Sequence, residues 1–124
     1  MTSPWTANEL AAITNTEEVH VRSRRHDGSM SPGQTIWAVV VDGEVFIRST
    51  DGPDKPWFRA AQTRGSGQLR VGDSVLTVTF EDAGTVPQAP IDAAYRRKYL
   101  HRPAYNVNRA AGSTATLRLM PRRR

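Results

Sequence analysis

The chain has 124 residues, 17 Lys and Arg against 12 Asp and Glu, a net charge of +5 and no cysteine. That length suits one domain able to bury a core without a disulfide or metal staple. The missing thiols exclude disulfides, thiolate metal sites and cysteine nucleophiles, and they fit a reducing compartment. Apolar runs stay far below the ~18 residues of a membrane span, the longest being Ile36–Val41. The opening residues Met1-Thr2-Ser3-Pro4 lack a basic-then-apolar leader. A soluble, cytoplasmic protein with no membrane partner is expected.

In chain order, Thr6-Ala7-Asn8-Glu9 is a capping box, with Trp5 just before it, and predicts a helix over 6–14 within an N-terminal segment 1–16. Glu17–Arg25 alternates Val19 and Val21 with His20, Arg22 and Arg24, the pattern of a strand with one wet face. A polar loop follows. Gln34–Val41 is continuous and β-branched and reads as a central strand. Asp42-Gly43 is a two-residue hairpin turn, and Glu44–Thr50 is the return strand, with Val45 and Ile47 opposite Phe46 and Arg48. Lys55–Arg64 predicts a helix stopped by Gly65, and Gly65-Ser66-Gly67 reads as a turn. Gln68–Val71 and Ser74–Glu81 form a second hairpin around Gly72-Asp73. Ala83–Pro90 is a loop, Ile91–Leu100 a helix with Ile91, Tyr95 and Tyr99 on one face, and Thr114–Met120 a last strand before the basic tail 121–124. The chain is therefore mainly β, one domain over 1–124, with about six strands, two or three short helices and tight turns. That combination favours a closed or partly closed antiparallel barrel.

The richest stretch runs from Asp42 to Gly65. A strand ends in Arg48-Ser49-Thr50, a glycine turn follows, and a helix begins with Lys55, Trp57 and Arg59. Two hydroxyls, three cations and free helix amides at one point make a phosphate grip. Trp57 would stack on a planar ring or cap the barrel. Equally open is a reading in which Arg48 and Arg59 pair with acids and Trp57 is core. The 15 arginines suit bidentate phosphate or carboxylate binding, and they also suit a GC-rich genome. In the second candidate element Asp92 caps the helix start, and Tyr95 or Lys98 either reaches a ligand or simply packs and is solvated. His20, His26 and His101 lack metal spacing, so no metal is expected. No nucleophile elbow, Walker or Rossmann fingerprint occurs. Aromatics are not interleaved with the basic residues, and no nucleic-acid partner is expected.

The Asp42–Gly65 stretch resembles the FMN-binding split-barrel superfamily (pyridoxamine-phosphate-oxidase-like), closest in style to its deazaflavin-dependent nitroreductase branch. There a turn leads into a Pro-x-Trp-Tyr-x-Asn-Leu helix start; here it reads Lys55-Pro56-Trp57-Phe58-Arg59-Ala60-Ala61. The branch's Gly-Arg-Lys-Ser-Gly loop is replaced by Arg24-Arg25-His26-Asp27-Gly28-Ser29. Nearly the full length resembles a bacterial family known as domain of unknown function 2255. The matching pieces are Ile36-Trp37-Ala38-Val39-Val40-Val41-Asp42-Gly43, Phe46-Ile47-Arg48-Ser49, Trp57-Phe58-Arg59, Ile91–Tyr99 and Thr116–Arg122. The resemblance implies a six-stranded antiparallel split β-barrel, FMN-binding-like, that pairs as a homodimer. It implies an FMN or deazaflavin cofactor gripped by Arg48, Ser49, Thr50, Lys55, Trp57 and Arg59. Trp37 and Tyr99 would then contact substrate, and Tyr95 would act as the catalytic acid. Three functions follow as expectations: a flavin- or deazaflavin-dependent oxidoreductase; a cofactor-free binding or lyase-type protein holding an anionic small molecule through Arg48, Arg59 and Tyr95; and a structural dimerisation domain.

Overall fold

The structure, a computed structural model, describes residues 3–122. Met1, Thr2 and the tail residues Arg123 and Arg124 lie outside the described residues. Among the described residues no helix is long and apolar enough to cross a membrane.

Helix α1 covers Ala7–Asn15 and starts at the expected capping box: Thr6 Oγ1 accepts from the Glu9 amide, and the Glu9 carboxylate accepts from the Thr6 amide. The strands are β1 (Val19–Ser23), β2 (Gln34–Ile36), β3 (Ala38–Val41), β4 (Glu44–Arg48), β5 (Ser66–Val71), β6 (Ser74–Asp82) and β7 (Thr116–Pro121). Three further helices are α2 (Pro56–Arg64), α3 (Ala89–Lys98) and α4 (Ala104–Gly112). The seven strands form one antiparallel sheet in the order β2-β1-β5-β6-β7-β4-β3.

The stretch 34–41 corrects the expectation of a central strand. It is two edge strands that meet at Trp37, so the count is seven rather than six. Gln34–Ile36 pairs with β1 and Ala38–Val41 pairs with β4 at the other end of the sheet. One unbroken segment thus carries both edges, and the sheet curls until it is nearly a barrel. The β3–β4 turn is as expected, with Asp42 at φ 51° and Gly43 at φ 78°, the left-handed pair a tight hairpin needs.

Strand alternation divides the apolar residues between two cores. Inside the barrel lie Val19, Val21, Ile36, Val45, Ile47, Leu69, Val78, Phe80, Leu117 and Leu119, plugged by Trp5 and Ile13 at one helix and by Phe58 and Ala61 of α2. Trp5 is core, and its indole N–H donates to the Leu119 carbonyl at 3.1 Å. Outside, Val39 and Phe46 face α3 and α4 through Ile91, Ala94, Tyr95, Tyr99, Val107, Ala110 and Ala111. Gly65 ends α2, whereas Ser66 and Gly67, read above as part of a turn, already belong to β5.

Helix α4 has no counterpart among the expected elements. It stacks on α3 and closes the outer core. Helix α3 begins at Ala89, with Gln88 as its cap. Asp92 therefore stands in the first turn rather than at the cap.

Candidate functional site

Strand β4 delivers Arg48 to the outer core, where it is 2% exposed. Its Nε donates to Thr116 Oγ1 at 3.0 Å, and Nη2 donates to Gln88 Oε1 at 2.8 Å. Nη1 donates to Asp92 Oδ1 at 2.5 Å and to the Ala110 and Ala111 carbonyls at 3.1 and 2.7 Å. Those two carbonyls end α4, where a helix leaves acceptors unmatched and carries partial negative charge. Thr116 Oγ1 in turn donates to Gln88 Oε1 at 3.0 Å, closing a ring of three side chains. Gln88 Nε2 anchors the ring to the Ala83 and Val86 carbonyls. Arg48 is thus an internal clamp that fastens α3 and α4 to the barrel, and the pairing with an acid read above as the alternative is the one formed.

Beyond Arg48 the chain turns through Ser49, Thr50 and Asp51 beside a cavity of about 220 Å³. Its wall takes Gln34, Thr35, Ile36 and Trp37 from the β2–β3 bend and Trp57 from the start of α2. Tyr95 comes from α3, and Asn106 and Arg109 come from α4. Ser49 is 2% exposed, and its backbone is fully engaged: its amide donates to Ala115 and its carbonyl accepts from Ser113 Oγ at 2.6 Å. Its buried hydroxyl has no hydrogen-bond partner among the described residues. A buried hydroxyl without a partner costs free energy.

Of the expected site residues, the wall brings together Arg48, Ser49, Thr50, Trp37, Trp57 and Tyr95. It leaves out Lys55, Arg59 and Tyr99. Lys55 sits 3.9 Å from Asp51 and Arg59 sits 3.8 Å from Asp54, both as exposed pairs. Tyr99 is fully buried and stacks on Trp37 with centroids 4.1 Å apart and planes 7° from parallel. Its hydroxyl donates to the Glu17 carbonyl at 2.7 Å.

The Tyr95 hydroxyl donates to the Trp37 carbonyl at 2.9 Å, which pins the bend between β2 and β3. Burial pushes the Tyr95 phenol far above its usual range, with the neighbouring Tyr99 adding to the effect. With its proton engaged and its anion disfavoured, Tyr95 is poorly placed to act as a general acid.

Charge in the wall is nearly balanced from within. Asp92 offsets Arg48, and Asp51 forms an ion pair with Arg109. Glu18 faces Arg102 at 3.9 Å. No group of three or more metal-ligating side chains occurs among the described residues. Asn106, Arg109 and Asp51 were missed by the sequence reading. For Asn106 and Arg109 the signal was the weak apolar spacing of Val107, Ala110 and Ala111 on α4, which puts them on its flank.

Lys98 corrects the picture of a solvated cation. Its Nζ donates to the Ile13 and Ala38 carbonyls at 2.8 and 2.6 Å, tying α1 and β3 to α3. Burial draws its pKa down to about 8, against the opposing charge of Glu17.

The solved structure of conserved hypothetical protein Rv2991 from Mycobacterium tuberculosis is similar to this chain. It superposes with a TM-score of 0.64 at 10% identity, covering 96% of this chain and 82% of that one. At that identity the likeness concerns the fold alone. No curated protein matches the sequence. The family model described as an uncharacterised protein conserved in bacteria, DUF2255, matches residues 9–119. By that match over nearly its whole length, the chain belongs to the DUF2255 family.

Proposed function

We propose that the protein is a small-molecule-binding member of the split-barrel superfamily that takes a planar, uncharged, hydrogen-bonding ligand in the cavity beside Ser49. The nearly closed antiparallel barrel supports the superfamily placement. The observation that carries the ligand proposal is a cavity wall that sets Trp37 and Trp57 among hydrogen-bonding side chains. Indole faces favour flat rings, and the surrounding Gln34, Thr35, Thr50 and Asn106 supply both donors and acceptors. An uncharged ligand suits a wall whose cations already have carboxylate partners.

A whole flavin nucleotide fits this wall poorly. The cavity is smaller than the roughly 300–1,000 Å³ of typical ligand pockets. Of the three cations expected at the phosphate, Arg48 is committed to the clamp, and Lys55 and Arg59 stand outside the wall. A second reading keeps a flavin-type oxidoreductase with the ring beside the two tryptophans and a second copy of the chain supplying the phosphate contacts. The two exposed residues of edge strand β2, Gln34 and Thr35, border the cavity and favour that reading.

Tryptophan fluorescence separates the two. Titration with lumichrome and nicotinamide, neutral planar probes, should quench Trp37 and Trp57 saturably, and Trp57→Phe should weaken the response. Failure of every neutral probe to bind would overturn the first reading. Stoichiometric binding of FMN or a deazaflavin by a dimer, with a yellow protein as the product, would establish the second.

A further inference from the structure

A second cleft lies on the open outer face of β1, β5 and β6 and shares no lining residue with the cavity beside Ser49. It encloses about 380 Å³ and is lined by His20, Arg22, Gly33, Gln68, Arg70 and Val75. In the β1–β5 ladder His20 faces Arg70 and Arg22 faces Gln68, which sets the two guanidiniums on a diagonal of adjoining strands. Like charges so placed repel one another.

Five arginines elsewhere are neutralised by carboxylates. Arg48 meets Asp92, Arg59 meets Asp54, Arg102 meets Glu17, Arg109 meets Asp51, and Arg118 meets Glu44 and Glu81. Here no carboxylate lines the cleft among the described residues. The Arg70 side chain is exposed and makes no hydrogen bond or ion pair among them.

Two of the side chains are nevertheless held in place. Arg22 Nε donates to the Ser31 carbonyl at 2.9 Å, which leaves its two terminal amino groups free for another acceptor. The His20 ring is fixed by Thr35 Oγ1 at 3.0 Å from Nε2. Gly33 lies beside both: a Cβ added there would stand 3.8 Å from Arg22 Cγ and from His20 Cδ2. Fixing donors before a ligand arrives lowers the entropy lost on binding.

We propose that this cleft binds a phosphoryl group, with Arg22 and Arg70 as its charged donors and Gln68 as a neutral one. Guanidinium forks match the oxygens of a phosphoryl group, and an anion between the two arginines converts their repulsion into attraction. The group could belong to a phosphorylated small molecule or to a nucleic-acid backbone, and the chemistry at the cleft is the same.

The test follows amide resonances of the full chain during titration with inorganic pyrophosphate and, separately, with a short single-stranded oligothymidylate. Saturable shifts of Gly33, Gln68 and Arg70 are expected. Arg22→Gln with Arg70→Gln should weaken binding about tenfold or more. Arg96→Gln with Arg97→Gln removes the same charge from an exposed face of α3 and should change it little. Both double variants alter exposed side chains, and an unchanged spectrum outside the cleft confirms their fold. Shifts with pyrophosphate alone identify a small phosphorylated ligand. Shifts with the oligonucleotide that weaken steeply with salt identify a backbone. The proposal is overturned if neither anion moves those amides, or if the α3 variant loses as much affinity as the cleft variant.

Discussion

Arg48 concentrates the chemistry that ties the outer helices to the barrel. Its charge is buried, and Asp92, two α4 carbonyls, Gln88 and Thr116 surround it. Arg48→Ala would leave these acceptors unmatched and should cost about 3–5 kcal/mol, the range for breaking a buried charge pair. Arg48→Lys should rescue little, because one ammonium cannot reach both the Gln88–Thr116 side and the end of α4. Urea midpoints of the two variants check this, and a lysine variant near wild-type stability would contradict the clamp. Lys98 supplies a pH signature. Its folded pKa of about 8 lies below the ordinary value of 10.5. Between those values the unfolded chain holds a proton that the folded chain has released, so raising the pH favours the fold. Below about pH 8 both states carry the proton, and the burial penalty on the ammonium stands in full. Lys98→Met should flatten the rise in stability between pH 8 and 10.5, as read from urea midpoints at several pH values. Helical spacing in the sequence places Lys98 off the face of Ile91, Tyr95 and Tyr99. It does not show that the Ile13 and Ala38 carbonyls draw the side chain inward, since those acceptors come from distant elements.

Among the elements, β5 shows how close packing restricts residue choice. A Cβ at Gly67 would stand 1.9 Å from the Arg22 carbonyl oxygen and 2.9 Å from the Phe80 ring. Gly67→Ala must therefore part β1 from β5, and it should cost at least about 3 kcal/mol, the upper end of overpacking penalties. Thermal unfolding of the variant measures it, and a loss below ~1 kcal/mol would mean that the strands separate easily. Local signals made most elements legible: the capping box of α1, the left-handed turn at Asp42-Gly43, and the alternation in β1 and β4. The break at Trp37 was not legible. A run of β-branched residues reads the same whether it keeps one partner or changes partners midway. The bend is set by closure of the sheet and by the Tyr95 hydroxyl on the Trp37 carbonyl. Helix α4 was hidden for another reason. Its buried positions Ala110 and Ala111 contrast weakly with their neighbours, and its cap, Pro103, offers no side-chain hydrogen bond. The candidate cavity draws on both hidden features, so the sequence disclosed Ser49, Thr50, Trp57, Trp37 and Tyr95 but not Gln34 and Thr35 of β2 or Asn106 and Arg109 of α4.

At the scale of the whole molecule, the barrel interior and the outer helical core share one wall. Strand β4 sends Val45 and Ile47 inward and Phe46 outward, and Arg48 extends the outward row. The same alternation divides β3, where Ala38 faces in and Val39 faces out. Neither core can be lost while the other keeps its shape, because the strands between them belong to both. The chain should therefore unfold in one cooperative step despite having two apolar clusters. Phe46→Ala removes a ring from the outer core and should cost about 3–5 kcal/mol, whereas Ile47→Ala empties an inner position and should cost about 2–5 kcal/mol. Both variants should keep a single transition, with far-ultraviolet dichroism and tryptophan fluorescence coincident. The fluorescence reports on both regions, since Trp5 packs in the inner core and Trp37 borders the outer one. If Phe46→Ala instead split the two signals, α3 and α4 would be a separately melting cover. The cavity beside Ser49 would then open when those helices detach, since Tyr95, Asn106 and Arg109 leave its wall with them. A single transition would make that cavity a fixed feature of the folded barrel, present whenever the sheet is closed.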